Sequence, residues 1–158
     1  MLIHRFILLF VLLLAPLVSG DEGQSTPSPE GASPTFRYDA AVASFNAGRH
    51  QAAGRDFEAL LRDPALPDDL RDNCMYWLGE SHYARRQWLD ALACFQKVLE
   101  HVQSNKEEDA RLKIALCWLN LGDTGRACRE ARALVERFPD CEAAPRARRL
   151  LERCPRSD

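Results

Sequence analysis

The sequence predicts an all-α fold, a right-handed solenoid of three helical hairpins followed by a C-terminal capping helix. Three observations lead to this prediction. Apolar residues recur with helical spacing almost without a break from Thr35 to Arg153. One pattern of glycine, alanine and phenylalanine occurs three times in that stretch. Proline and glycine stand between the copies, where helices are expected to end.

The clearest copy of the pattern is residues 74–100, CMYWLGESHYARRQWLDALACFQKVLE. Glycine inside a helix costs roughly 1 kcal/mol relative to alanine, so Gly79 predicts a crossing point where a partner backbone comes close. Ala91 falls at the facing position of a second helix, and Phe95, one turn later, is placed to fill the gap to the next hairpin. This stretch therefore predicts a helix, a tight turn and an antiparallel helix.

Weaker copies lie on both sides of this unit. The residues equivalent to Ala91 and Phe95 are Ala53 with Phe57 in the first copy and Ala127 with Ala131 in the third. Gly48 and Gly122 stand five residues before their alanines, at the turn, where the central copy has Arg86. The alanines are 38 and 36 residues apart, which is close to the period of about 34 that tetratricopeptide repeats have.

Seven helices follow from this periodicity. We expect them near residues 37–46, 50–62, 68–85, 88–102, 106–120, 124–137 and 142–153. Asp68 and Asp69 are candidate caps for the third helix, and Ser104 with Glu107 forms a candidate capping box for the fifth. Pro139 should end the sixth helix.

The first 20 residues predict a secretory signal peptide. A basic start precedes an apolar run from Phe6 to Leu14, and the small residues Val18 and Gly20 suit a cleavage site. The apolar run is too short to cross a bilayer, which needs about 20 residues. We expect cleavage after Gly20, no lipid anchor because position 21 is Asp, and a periplasmic product without stable membrane insertion. The alternative is an uncleaved N-terminal anchor.

Residues 21–34 are rich in Gly, Ser, Thr and Pro and predict a flexible linker, so the repeat domain should span residues 35–154. The formal net charge of the chain is -2, which gives no reason to expect nucleic acid as a partner. The last helix is locally basic. Its arginines predict a solvated face, or alternatively contact with an acidic partner.

Six cysteines in an exported chain suggest disulfides. They are Cys74, Cys94, Cys117, Cys128, Cys141 and Cys154. In antiparallel helices, Cys94 near the start of one helix can face Cys117 near the end of the next, and Cys128 and Cys154 stand in the same relation. We expect these two bridges. The alternative is that several are ordinary buried thiols.

Patterns of catalytic and metal-binding residues are missing from the sequence. There is no HExxH, no glycine-rich phosphate loop, no GxSxG and no CxxC. His50, His82 and His101 are scattered over different helices and predict packing or surface roles. We therefore expect a protein that is not an enzyme and that needs no cofactor or metal.

A partner-binding groove is expected on the concave face, which the first helix of each hairpin lines in a tetratricopeptide superhelix. The predicted lining residues are Tyr38, Val42, Phe45, Asn73, Tyr76, Glu80, Tyr83, Leu112, Leu116, Leu119 and Asn120, with Arg146 and Arg153 at the end. Rings next to amides and guanidinium groups suit a groove for a peptide. Tyr76, Tyr83 and Asn120 are the strongest candidates, whereas Leu112 and Leu116 are better explained by packing.

Residues 76–100, YWLGESHYARRQWLDALACFQKVLE, resemble the repeat units of a periplasmic Tol-Pal-associated family, the YbgF proteins or CpoB cell-division coordinators. The resemblance extends over roughly Tyr38–Leu151 and is most specific at Tyr76–Val98. It implies an exported protein that links the Tol machine to wall synthesis during division. Family members also carry a trimerising coiled-coil, for which the linker offers no sequence, and their pattern does not include the six cysteines.

These observations predict a non-catalytic periplasmic scaffold with a concave binding groove, and the resemblance implies Tol-Pal or wall-synthesis proteins as its partners. The alternative is a general exported repeat adaptor in outer-membrane assembly or secretion. That class is similar in architecture to the lipoprotein BamD, although the lipid-bearing cysteine expected there is absent.

Overall fold

The computed structural model describes residues 31–100 and 104–154. Within these ranges the chain is all-helical, and its helices are α1 (Pro34–Asn46), α2 (His50–Arg62), α3 (Asp68–Ala84), α4 (Trp88–Glu100), α5 (Glu107–Asn120), α6 (Thr124–Arg137) and α7 (Ala144–Leu151). The fold prediction is confirmed. The predicted signal peptide, the linker as far as residue 30, and His101 lie outside the described residues.

Helix boundaries within the described residues agree with the predicted ones to within three residues. The predicted end of the fourth helix at residue 102 lies outside the described residues. The largest difference at a helix start is in α1, which begins at Pro34 rather than near residue 37 because Ser33 caps it. The Ser33 side chain accepts a hydrogen bond from the Phe36 backbone N–H at 3.3 Å, and Pro34 occupies the first turn, where its missing N–H is not needed. Pro139 follows the end of α6, as expected.

Two of the predicted caps are wrong. Asp68 and Asp69 lie in the first turn of α3, and neither side chain caps the helix. Their negative charges still interact favourably with the positive end of the helix dipole. The capping box of Ser104 with Glu107 does not form because α5 begins at Glu107 with Lys106 at the N-cap, so Ser104 lies two residues before the cap position. Its hydroxyl instead donates to Asp72 of α3 at 2.5 Å and accepts from the Lys106 backbone N–H.

The helices form three antiparallel hairpins in a right-handed solenoid, and α7 covers the end. Each helix packs mainly on its neighbours in the chain, and α1 also contacts α3. Helices α1, α3, α5 and α7 therefore form an inner row, and α2, α4 and α6 form an outer row. The three hairpin turns share a residue with positive φ, namely Gly48 at 79°, Arg86 at 60° and Gly122 at 84°.

Buried side chains form three layers. The first layer joins α1, α2 and α3 and also includes Cys94 of α4. Its buried residues are Ala41, Ala53, Phe57, Leu60, Leu66, Cys74, Leu78 and Cys94. The middle layer joins α4 to α5, and its buried residues are Ala91, Leu92, Phe95, Val98, Ala110, Ile114 and Cys117. The last layer joins α5, α6 and α7, and its buried residues are Leu112, Ala115, Ala127, Cys128, Ala131, Leu134, Ala143, Ala147 and Leu150.

Gly79 marks a close approach, as predicted, but the approaching group is a ring and not a backbone. A Cβ atom at Gly79 would lie 2.7 Å from Cε1 of Phe95. Gly54 has more room, since a Cβ there would lie 3.4 Å from the Ser81 Cβ. Phe95 is fully buried, so the glycine allows α3 to pack directly on the face of that ring.

The cysteines divide between one bridge and four thiols. Cys128 and Cys154 form a disulfide, with Cα atoms 6.0 Å apart. The predicted bridge between Cys94 and Cys117 is absent, and both are buried free thiols. Cys94 contributes to the first layer and Cys117 to the middle layer. The two helix ends meet as expected, but the side chains belong to different layers.

Candidate partner-binding groove

Aromatic side chains connect α1 to α3. Trp77 donates a hydrogen bond from Nε1 to the hydroxyl of Tyr38 at 3.0 Å. The ring of Phe45 packs edge-on against Trp77, with centroids 5.1 Å apart, and Tyr38 packs in the same way on Phe57. Val42 also packs against this first layer. The predicted groove residues of α1 therefore hold the first two hairpins together.

Helices α3 and α5 are tied by an ion pair that sequence reasoning missed. Lys113 lies 2.6 Å from Oε2 of Glu80, and the two side chains are only 15% and 14% exposed. The ammonium group of Lys113 also lies 4.9 Å from the centre of the Tyr83 ring, a cation–π distance. Glu80 lies on the inner row as predicted, but its Oε2 already pairs with Lys113. Its Oε1 is buried and has no hydrogen-bond partner among the described residues.

Tyr83 and Asn120 lie together at the C-terminal ends of α3 and α5. Asn120 donates from Nδ2 to the Tyr83 hydroxyl at 3.1 Å and to the Leu116 carbonyl at 2.8 Å. The Tyr83 ring packs edge-on against Trp88. Asn120 is exposed and Tyr83 is half-buried, so this pair remains accessible to a partner.

Tyr76 is set deeper than Tyr83. Its ring packs against Phe95, with centroids 5.6 Å apart, and the Lys106 ammonium lies 5.7 Å from its centre. Burial raises the pKa of Tyr76 and of Tyr83 above the usual value, and the charge of Arg146 opposes that rise in both. Arg146 on α7 therefore lies close enough to both tyrosines to act on them electrostatically.

Two of the predicted groove residues are buried. Asn73 is only 8% exposed, and its amide donates to the Asp69 carbonyl one turn earlier in the same helix. It therefore stabilises α3 and presents little to a partner, contrary to the expectation. Leu112 is buried in the last layer, in agreement with the packing alternative.

A cavity of about 280 Å³ opens between α5 and α7. Its lining consists of three leucines and three arginines, namely Leu116, Leu119, Leu150, Arg146, Arg149 and Arg153. We call it the Arg-Leu cavity. The three arginines are exposed, and none of them forms an ion pair within residues 31–100 and 104–154. Open cationic groups thus surround an apolar floor.

Four of these six residues were predicted for the groove: Leu116, Leu119, Arg146 and Arg153. Arg149 and Leu150 were not among the predicted groove residues. The spacing of Arg146, Arg149 and Arg153 was an available signal, since residues three and seven positions apart share one helix face.

The comparisons with known proteins agree with this geometry. Residues 73–102 and 109–140 match the tetratricopeptide repeat family model. These two stretches are tetratricopeptide repeats. These matches cover the second and third hairpins, and the first hairpin has the same turn, with Gly48 at positive φ and Ala53 fully buried. No curated protein sequence matches the chain.

A solved structure shares the fold. It is the Yersinia enterocolitica type III secretion chaperone SycD in complex with a peptide of the translocator YopD. The TM-score is 0.66 at 23% sequence identity, and the match covers 77% of this chain and 93% of that chain. At this identity the comparison establishes a common arrangement of repeats.

The free thiols inside the repeats are not poised for chemistry. Burial raises the pKa of Cys74 to about 12, that of Cys94 to about 11 and that of Cys117 to about 12. They stay protonated at neutral pH, whereas a nucleophile or metal ligand must be a thiolate. Among the described residues, no three His, Cys, Asp or Glu side chains converge as metal ligands. No helix in the same ranges is long and apolar enough to span a bilayer.

Proposed function

We propose that this protein is a non-catalytic scaffold that holds a segment of a partner protein along its inner row of helices. The Arg-Leu cavity carries the proposal, because it offers apolar surface and unpaired donors at the end of that row. The hydrogen bond between Trp77 and Tyr38 and the ion pair between Lys113 and Glu80 connect neighbouring helices of this row. A surface that is already ordered loses less entropy on binding.

The shared fold with SycD supports this proposal, since that chaperone is described in complex with a peptide of a translocator. A repeat array of this kind can present one continuous surface to an extended or helical peptide. In this protein that surface would run from Tyr83 and Asn120 to the arginines of α7.

The proposal extends to the cell envelope. Residues 1–20 have the pattern of a cleaved signal peptide, so the scaffold would act in the periplasm. The resemblance of residues 76–100 to the Tol-Pal-associated repeat proteins then favours Tol-Pal or wall-synthesis components as partners. A second candidate is an exported adaptor in secretion or outer-membrane assembly, which the fold shared with a secretion chaperone favours.

Partner capture tests the groove. The mature chain, beginning at Asp21, is immobilised and exposed to cross-linked envelope extract, next to a Tyr83→Ala/Asn120→Ala variant. The groove variant should lose the captured partner while keeping its helical circular dichroism and melting temperature. Leu89→Ala serves as the matched control, because Leu89 is 65% exposed on the outer row.

Two results would contradict the proposal. One is a partner that the groove variant retains as well as the native chain does. The other is loss of the partner in the Leu89→Ala control. If the double variant loses helicity, Tyr83→Phe removes only the hydroxyl that Asn120 contacts and allows the same comparison in a folded protein.

The identity of the captured proteins and the location of the chain test the finer proposal. Mass spectrometry of the periplasmic fraction should find the N-terminus at Asp21, and an intact Met1 in the membrane fraction would refute export by a cleaved signal. Tol-Pal or wall-synthesis proteins in the capture would support the first candidate. Outer-membrane assembly or secretion proteins would support the second.

A further inference from the structure

We infer that the Arg-Leu cavity selects an extended partner segment in which an aliphatic side chain is flanked by acidic residues. This inference rests on the proposed function and names the chemistry of the segment that the groove would hold. Leu116, Leu119 and Leu150 provide the floor for the aliphatic side chain. The rim for the carboxylates consists of Arg146, Arg149 and Arg153.

The size of the cavity limits what can enter it. A volume of about 280 Å³ lies near the lower end of the 300 to 1,000 Å³ that is typical of drug-sized ligand pockets. The floor is aliphatic, since Leu116 and Leu119 come from α5 and Leu150 from α7. An aliphatic side chain fits such a floor without leaving a buried polar group unpaired.

The rim is a row of charges and not a single one. Arg146 and Arg149 lie one turn apart on α7, and Arg153 lies in the turn that directly follows the helix. At helical spacing, seven residues correspond to about 10 Å. An extended peptide covers that length with about three residues. One terminal carboxylate can meet only part of such a row, whereas acidic side chains on both sides of the aliphatic residue can meet all of it.

The surrounding surface has the same sign. Between Arg126 and Arg153 the chain has eight arginines and five acidic residues, although the whole chain has a net charge of -2. Several of these arginines are engaged elsewhere. Arg126 pairs with Asp123, Arg137 pairs with Glu107, and Arg148 donates to the Pro139 carbonyl. Arg129 and Arg132 of α6 are also exposed and unpaired among the described residues, but the three rim arginines are the ones that line the cavity. Charge complementarity there favours an acidic partner.

Short fluorescein-labelled peptides and the mature chain test this inference by fluorescence polarisation. The first peptide has leucines flanked by aspartates, the second replaces the aspartates with asparagines, and the third replaces the leucines with alanines. We expect the first to bind at least about tenfold more tightly than either of the others, because each change removes one of the two matched groups. Its affinity should fall as the salt concentration rises.

Two variants of equal charge change complete the experiment. Arg149→Glu/Arg153→Glu reverses the rim and should weaken binding of the first peptide by about tenfold or more. Arg129→Glu/Arg132→Glu alters exposed arginines of α6 and should change the affinity much less. Equal losses in the two variants would overturn the inference, because they would reduce it to a general charge effect.

A display library of random peptides separates this inference from the proposed function. Enrichment of acidic-aliphatic segments supports it. Enrichment of other segments, lost on Tyr83→Ala/Asn120→Ala, overturns it and leaves the proposed function in place. If neither the library nor the labelled peptides bind, both this inference and the proposed function are contradicted.

Other occupants give different outcomes. If neutral amides in place of Asp21, Glu22 and Glu30 strengthen peptide binding about tenfold, the chain's own acidic segment fills the cavity. A dimer that dissociates on Arg149→Glu/Arg153→Glu would assign the cavity to a second copy. Either result overturns the assignment to a partner segment.

Discussion

The first and last layers of this solenoid hold their helices together in different ways. In the first layer Phe57 is fully buried and forms part of a cluster of rings with Phe45 and Trp77. The buried residues of the last layer are alanines, leucines and a cysteine, and a disulfide joins its α6 to the end of α7. Large rings supply much apolar contact from few residues, whereas small side chains leave room for a cavity and rely on a covalent link.

The difference also separates stability from recognition. The aromatic groups of the first layer are engaged with one another, so little remains to contact a partner there. At the other end, the arginines beside the last layer are open. A short repeat protein can thus place its exposed charged groups at the end where the core consists of small side chains.

The largest effect is expected from emptying the first layer. Phe57→Ala should lower the free energy of unfolding by about 3 to 5 kcal/mol, because it removes a fully buried ring and leaves a cavity. Urea denaturation followed by circular dichroism measures it. Phe36→Ala is the control, since Phe36 is 57% exposed. If the two variants are equally stable, the first layer is not held by its rings.

The disulfide is the corresponding element of the last layer. Cys128→Ser/Cys154→Ser should lower the free energy of unfolding by about 3 kcal/mol, since the bond closes a loop with a sequence separation of 26. Denaturation of the oxidised native protein and of the variant gives the value. Cys141→Ser removes a free, half-buried thiol and should have a much smaller effect. A double variant as stable as native protein would mean that small-residue packing suffices.

A close contact between α3 and α4 lies between these two layers, at Gly79. Gly79→Ala should destabilise the fold by about 1 to 3 kcal/mol, because the new methyl group would meet the Phe95 ring. Gly54→Ala is the matched control. Its methyl group has ordinary van der Waals room, so the better helix propensity of alanine should stabilise the fold by up to about 1 kcal/mol. The same sign for both variants would contradict this account of Gly79.

The smallest effect is expected at the turns. Arg86→Gly should stabilise the fold by about 0.5 to 1 kcal/mol, because Arg86 has a positive φ that costs an L-residue roughly 1 to 2 kcal/mol, part of which glycine loses again through entropy. Gly122→Ala at the equivalent turn should destabilise by a similar amount. Thermal denaturation measures both, and a stabilising Gly122→Ala would show that the turn conformation is not the cause.

The helices and turns could be predicted because local residues determine them. Gly48, Arg86 and Gly122 are equivalent in the sequence, and each has positive φ in the structure. The alanine that follows each turn, such as Ala91, is fully buried in all three hairpins. A repeated pattern reports helix ends and the residues between helices without any knowledge of the packing.

Contacts that depend on rotation between helices could not be predicted. Cys94 and Cys117 lie at helix ends that meet. Each step of one residue along a helix changes the direction of the side chain by about 100°, so helix placement alone does not determine where a side chain points. The two cysteines belong to different layers. The pairing of Glu80 with Lys113 likewise depends on how α3 and α5 are placed along each other. One sequence signal for this pair was available. Leu116 is the residue of the third repeat that corresponds to Glu80, and Lys113 lies one helical turn before it with the opposite charge.

The disulfide also gives the solenoid a direction of opening. A linear array loses structure from its ends, where a helix has neighbours on one side only. The bond from Cys128 to Cys154 restrains that fraying at α7, whereas α1 has no such bond. Partial unfolding should therefore start at α1 and proceed along the array. The last hairpin and its arginines would then remain structured in states in which the first hairpin has already opened.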